Sequence, residues 1–158
     1  MTASTTTGAR AASTFPVYKG QGGGDLCAAY GTHTFAAGDD EADDIYRLLT
    51  SPPCTVLGGE VYGGDLDTGT ESVDFNIGWS GAAETADPDG FGNFGVVTGD
   101  AVAGIKPEVS IWMPLGGVLR SAGPQVFASG ATIELIIVAA ANTLGTVPIT
   151  VVVHYITS

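Results

Sequence analysis

The sequence predicts an all-β chain folded as a single antiparallel β-sandwich of about eight strands, and three observations lead there. The stretch Ser72-Val73-Asp74-Phe75-Asn76-Ile77-Gly78-Trp79 alternates strictly between polar and apolar side chains. Successive strand residues point to opposite faces, so Val73, Phe75, Ile77 and Trp79 share one side, and Ser72, Asp74, Asn76 and Gly78 the other. Such a strand is half-buried, apolar inside and wet outside. The two runs before it, Asp44–Leu49 and Cys54–Tyr62, stop at Ser51-Pro52-Pro53 and Gly63-Gly64-Asp65, spaced as strands of a sandwich are. Composition is the third sign: 24 glycines, 14% charged and 44% hydrophobic residues suit short strands, tight turns and a real core. At 158 residues the chain fits one domain, able to bury about two thirds of its extended surface.

Taken in order, residues 1–24 form a flexible amino-terminal arm and residues 25–158 the sandwich domain. The arm is rich in Thr, Ala, Ser and Gly, and its first 14 residues offer too little apolar surface to offset the entropy of ordering. Phe15, Val17 and Tyr18 around Pro16 make a small apolar anchor, followed by Gly20-Gln21-Gly22-Gly23-Gly24. Ala28–Ala36 reads as the first strand. It is closed by Gly38–Asp44, where five acids in seven residues repel one another and favour an exposed loop. After the central strands, Ala86–Phe94 reads as a turn or one helical turn, with Asp87 as N-cap and Pro88 at the first helical position. Phe91 and Phe94, three apart, would plug one end of the sandwich. Val109–Met113 is another strand, and 115–130 a long connection with a short strand at Val118-Leu119-Arg120. The β-branched runs Thr132–Val138 and Ile149–Ile156 are the last two strands, joined as a hairpin through Ala140–Gly145.

Charge narrows the function. The net charge of −12 opposes binding nucleic acid through phosphates, and equally opposes docking on an anionic membrane. Arg10 and Lys19 give the arm +2 with no acid, while the remaining three bases face all 17 acids and leave the body at −14. A basic tail on an acidic body suggests that the tail docks where the body does not. The first residues lack the charged start and apolar run of an export signal. The longest apolar segment, Leu135–Ala141, is too short to cross a bilayer, so a soluble, unexported product is expected.

The chemistry-bearing residues are few. Cys27 and Cys54 form no CxxC pair and are expected as thiols, with a single bridge left open. His33 and His154 each lie in a strand with no nucleophile or carboxylate in a catalytic spacing. Asp87-Pro88-Asp89-Gly90 opens like a calcium loop, but the closing Glu is absent, position 98 being Thr, and the four residues read as a turn. Asp65 and Asp67 after Gly63-Gly64 would contribute carboxylates to a cation site only weakly. Trp79 and Trp112 would line a sugar groove or, more commonly, pack in a core. No catalytic residue, cofactor or metal site is expected, and the chain does not read as an enzyme.

The run Asp44-Ile45-Tyr46-Arg47-Leu48, a proline turn, Val56-Leu57-Gly58-Gly59, Gly64-Asp65-Leu66-Asp67 and Val73–Trp79 resembles small structural proteins of tailed bacteriophages. These are all-β, jelly-roll-like proteins that decorate or cement the head. Ala86–Phe91 and Val151–Tyr155 fit the same pattern, and the likeness spans roughly residues 28–157. The resemblance implies binding to the major capsid protein on the outer surface of the virion, stabilisation of the shell, and assembly as a homotrimer. The arm residues Arg10, Phe15, Tyr18 and Lys19 are then the expected partner contacts. The alternative is a carbohydrate-binding β-sandwich on a virion or cell surface, using Trp112 with acids at a sheet end.

Overall fold

The computed structural model describes residues 26–68, 72–81, 85–95 and 111–157. Among these residues nine strands run β1 (Leu26–Thr34), β2 (Ile45–Ser51), β3 (Cys54–Gly63), β4 (Asp74–Ser80), β5 (Asp87–Gly95), β6 (Ile111–Pro114), β7 (Gln125–Phe127), β8 (Ala131–Ala139) and β9 (Pro148–Thr157), with one helical turn, α1 (Val118–Ser121), between β6 and β7. They form two antiparallel sheets. One has the order β1-β9-β3-β6, with β7 also on β3; the other is β2-β8-β4-β5. Paired strands are thus nested in sequence: first with last, second with second-last, inward to β4 with β5. That nesting is the jelly roll. Its eight strand positions are occupied by nine segments because β6 and β7 share one, each pairing with a different half of β3.

The core lies between the sheets, where the inward parities of the strands meet. Val56 and Val61 of β3, Phe75 and Ile77 of β4, Ile133, Leu135 and Ile137 of β8, and Ile149, Val151 and Val153 of β9 are all fully buried. Each such side chain stabilises by roughly 1.5–3 kcal/mol relative to exposure.

Four local expectations are corrected. Thr132–Val138 and Ile149–Ile156 are strands, but not a hairpin: β8 bonds to β2 and β4, β9 to β1 and β3. Residues 140–147 carry the chain from one sheet to the other. Ala86–Phe94 is not a helical turn, because the segment belongs to β5 and pairs with β4. Its ladder breaks between Ile77 and Trp79, whose partners are Gly92 and Asp87, so Pro88–Phe91 arch past Gly78. The supposedly wet face of β4 is partly dry: Asp74 and Gly78 are buried, since β4 is an inner strand and the arch covers Gly78. Val118–Arg120 is helical, not extended. Gly117, at φ 52°, turns the chain against the Gly90 carbonyl, and Leu119 and Arg120 then bond back to Gly116 and Gly117. Phe91 and Phe94 are buried, but in two clusters: Phe91 with Trp79 and Phe127, Phe94 stacked on Phe75.

Candidate docking surface

A sandwich has two outer faces, and here they differ in chemistry. On the β1-β9-β3 sheet, register sets Tyr30 beside Val152 and Glu60, and Leu26 beside Ile156, Thr55 and Val126. These residues have the parity that points away from the core. Tyr30 is 74% exposed, Leu26 71% and Val126 51%; Leu57, in the bulge of β3, and Tyr62 are exposed as well. Part of the cause lies in β9: one parity, Ile149, Val151 and Val153, fills the core, and the other stands outside with Val152 and Ile156 alternating with Thr150 and His154. Glu60 is the carboxylate of these rows. It accepts a hydrogen bond from the Tyr62 hydroxyl at 2.8 Å and lies 3.7 Å from Nε2 of His154. An exposed apolar patch of this kind, set among Thr150, His154 and Glu60, is suited to an interaction site.

The opposite face is a polar ladder. Arg47 Nε donates to Glu134 Oε1 at 3.3 Å, Ser80 Oγ to the same oxygen at 2.5 Å, and Asn93 Nδ2 to Asn76 Oδ1 at 2.8 Å. Ile45, Ile136 and Val138 form a smaller apolar corner beside the 38–44 loop. Asp74 belongs to this face. Burial pushes its carboxyl above the ordinary 3.8, partly offset by hydrogen bonds from Asn93 and the Phe75 N–H. Asp87 is raised too, first by burial and then by neighbouring Asp89. A carboxyl whose folded pKa exceeds its unfolded one holds its proton more tightly when folded. Its contribution is therefore most favourable below the unfolded pKa and is lost as pH rises through the folded pKa. Asp74→Asn should raise the unfolding free energy at pH 7 by an amount on the order of 1 kcal/mol. The gain should shrink as pH is lowered towards the ordinary carboxyl value; a gain independent of pH would show that desolvation of the charge is not its source.

Several other ionisable side chains are held in structural roles. Asp67, buried, accepts hydrogen bonds from the N–H groups of Ser72, Val73, Asn142 and Thr143 and from the Ser72 hydroxyl, so its carboxylate ties two crossovers together. His33 stacks on Tyr46 with ring centroids 3.9 Å apart and sits 3.4 Å from Asp39. Tyr46, whose hydroxyl donates to the Asp39 carbonyl, has its pKa pushed up to about 12 by burial, with Asp44 and Asp39 adding to it. Cys54 is a buried thiol raised by burial, Cys27 is half-buried, and the two do not form a disulfide. Among the described residues no three His, Cys, Asp or Glu side chains gather as a metal site would require, and no helix is long and apolar enough to cross a membrane. Trp79 packs in the core. Trp112 pairs with Tyr62 through its backbone, and its side chain lies outside the described ones. Arg10, Phe15, Tyr18 and Lys19 also lie outside the described residues.

No family model matches the chain, and no curated protein sequence does. Solved structures do match. A chain of the capsid asymmetric unit of cyanophage Pam1 superposes with a TM-score of 0.63 at 20% identity, covering 97% of this chain and 98% of that one. A chain of the capsid of Ralstonia phage GP4 gives 0.65 at 19% identity, covering 87% and 88%. A chain from the acid-stable capsid of Helicobacter pylori bacteriophage KHP30 gives 0.55 at 14%, covering 85% and 89%. At these identities the likeness is one of fold.

Proposed function

We propose that this chain is a structural component of a tailed-phage head, a decoration protein that binds the major capsid protein on the outer surface of the shell and stabilises it. The observation that carries the reading is the near end-to-end likeness of fold to chains from three phage capsids. Two features of the body support it. The outer face of β1-β9-β3 is apolar enough to adhere, and the polar opposite face suits exposure to solvent. Described carboxylates such as Asp67 and Glu134 are engaged in structural hydrogen bonds. We place Arg10, Phe15, Tyr18 and Lys19 among the shell contacts, and the assembled species is a homotrimer. Repetition over a lattice turns weak individual contacts into firm attachment through effective concentration.

The test is binding to purified heads that lack the protein. Wild-type chain should occupy regular sites and raise the temperature at which heads release DNA. Leu26→Asp with Tyr30→Asp should lower occupancy at a fixed concentration by about tenfold or more, as loss of central apolar contacts does at interfaces. Phe15→Ala with Tyr18→Ala should lower it independently. Failure of the wild-type chain to bind heads sinks the function. Binding that survives the face variants removes the face from the mechanism and leaves the function standing.

A further inference from the structure

The outward side chains of the β1-β9-β3 sheet stand in cross-strand rows, and one row differs from its neighbours. Leu26, Ile156, Thr55 and Val126 make one ridge, and Tyr30, Val152 and Glu60 make another. Between the two ridges runs the row Ala28, His154 and Gly58. Alanine and glycine keep this row low, and a Cβ built at Gly58 would meet nothing within 4 Å. His154 is its polar side chain, 43% exposed, with Nε2 3.7 Å from Oε1 of Glu60, whose side chain is 22% exposed. The same oxygen accepts the Tyr62 hydroxyl at 2.8 Å. A body that touches both ridges therefore covers the low row and draws the Glu60 carboxylate out of water.

We infer that docking through this face takes up a proton from solvent: His154 binds it, and the imidazolium neutralises Glu60 as water leaves. The inference rests on the reading that the major capsid protein covers this face, and it adds the condition that regulates attachment. A carboxylate taken out of water with a neutral hydroxyl as its donor is costly, and an opposite charge beside it offsets that cost. A charge-assisted hydrogen bond closes to about 2.7–2.9 Å, so the pair has about an ångström to move. With both ring nitrogens carrying hydrogen, Nε2 becomes the donor that Glu60 needs. The surroundings leave this role to His154. Among the described residues, the titratable side chains on the outward rows around it are Glu60 and Tyr62 of β3 and Tyr30 of β1, and the neighbouring β6 and β7 hold none. Linkage makes the effect reciprocal: a proton bound more tightly in the docked state tightens docking by the same factor.

The test is binding of the full-length chain to heads that lack it, titrated at about pH 5.5 and about pH 8, either side of the range in which histidine changes charge. Wild-type affinity should fall by about tenfold or more between the two, since exchange of one proton allows up to a factor of ten per pH unit. His154→Gln should bind at both pH values as the wild type does near the higher one. His154→Arg, permanently charged, should bind at both as the wild type does near the lower one. Glu60→Gln removes the charge to be neutralised and should flatten the profile by an independent route. Equal wild-type affinity at the two pH values overturns the inference and leaves the function standing. A fall that persists undiminished in both His154→Gln and Glu60→Gln assigns the proton to another group and overturns it as well. Failure of the wild-type chain to bind at either pH sinks the proposed function, and the inference with it.

Discussion

Replacing Asp67 with alanine should lower the unfolding free energy by about 3–5 kcal/mol, because several hydrogen bonds to one buried charge, each worth roughly 1.5–3 kcal/mol, are lost together and water replaces some of them. The size follows from what the carboxylate holds. Four backbone N–H groups converge on it, two from the β3–β4 connection and two from the β8–β9 connection. Both connections cross between sheets, and both do so at the same end of the sandwich. Around the carboxylate lie Thr68 N–H to the Thr143 carbonyl and Gly145 N–H to the Leu66 carbonyl. Alanine leaves the four donors without their acceptor, at roughly 1–3 kcal/mol for each that water cannot reach. An asparagine whose oxygen takes the place of Oδ2 would keep the Ser72, Val73 and Asn142 donors and turn its NH2 only towards the Thr143 N–H, so Asp67→Asn should recover much of the loss. Urea titration at pH 7 with an unchanged m-value is the measurement. A loss below about 1 kcal/mol for Asp67→Ala would mean that water replaces the carboxylate, and that the crossovers are held by their direct backbone bonds.

What could be read from sequence, and what could not, divides along the range of the interaction. The faces of β4 and β8 were legible because alternation is local: Phe75, Ile77, Leu135 and Ile137 are placed by parity alone. The partner of a strand is not local. β8 and β9 look like a hairpin because a few small residues separate two β-branched runs, yet the same residues serve equally well as a crossover. Asp67 looked like a weak cation ligand since an aspartate after two glycines says nothing of donors 75 residues away. The β5 arch read as a helix start because Asp-Pro is a good one locally; the ring of Trp79 and the backbone of β4 decide otherwise. The apolar patch of the outer face has its signal in β9. A run such as Ile149–Ile156, which adds Val152 and Ile156 on the outward parity to its inward Ile149, Val151 and Val153, belongs either to a strand covered on both sides or to one whose outer side awaits a partner.

Gly90→Ala should destabilise the wild-type chain strongly yet leave a Trp79→Ala chain nearly untouched, and that contrast tests how the arch of β5 is held. Trp79 is 4% exposed, with ring centroids 4.9 Å from Phe91 and 5.3 Å from Phe127, and its Nε1 donates to the Thr85 carbonyl at 3.1 Å. Its ring passes directly over Gly90, where an added Cβ would fall 2.1 Å from the nearest ring carbon. Trp79→Ala alone should cost about 3–5 kcal/mol, the usual toll of emptying a buried aromatic site. It should also open the chain to protease within the arch, since Pro88–Gly90 leave the ladder between the partners Asp87 and Gly92. Gly90→Ala alone must displace the indole from that packing, at about 1–3 kcal/mol by the standard of overpacked cores. With the indole gone the methyl still falls 2.9 Å from Cγ of Asp87, a carboxyl that can turn aside, so the double variant should be only slightly less stable than Trp79→Ala. The two substitutions then couple by about the whole cost of Gly90→Ala. Additive losses would show that the arch is set by its own backbone and by Pro88, with the indole merely filling space beside it.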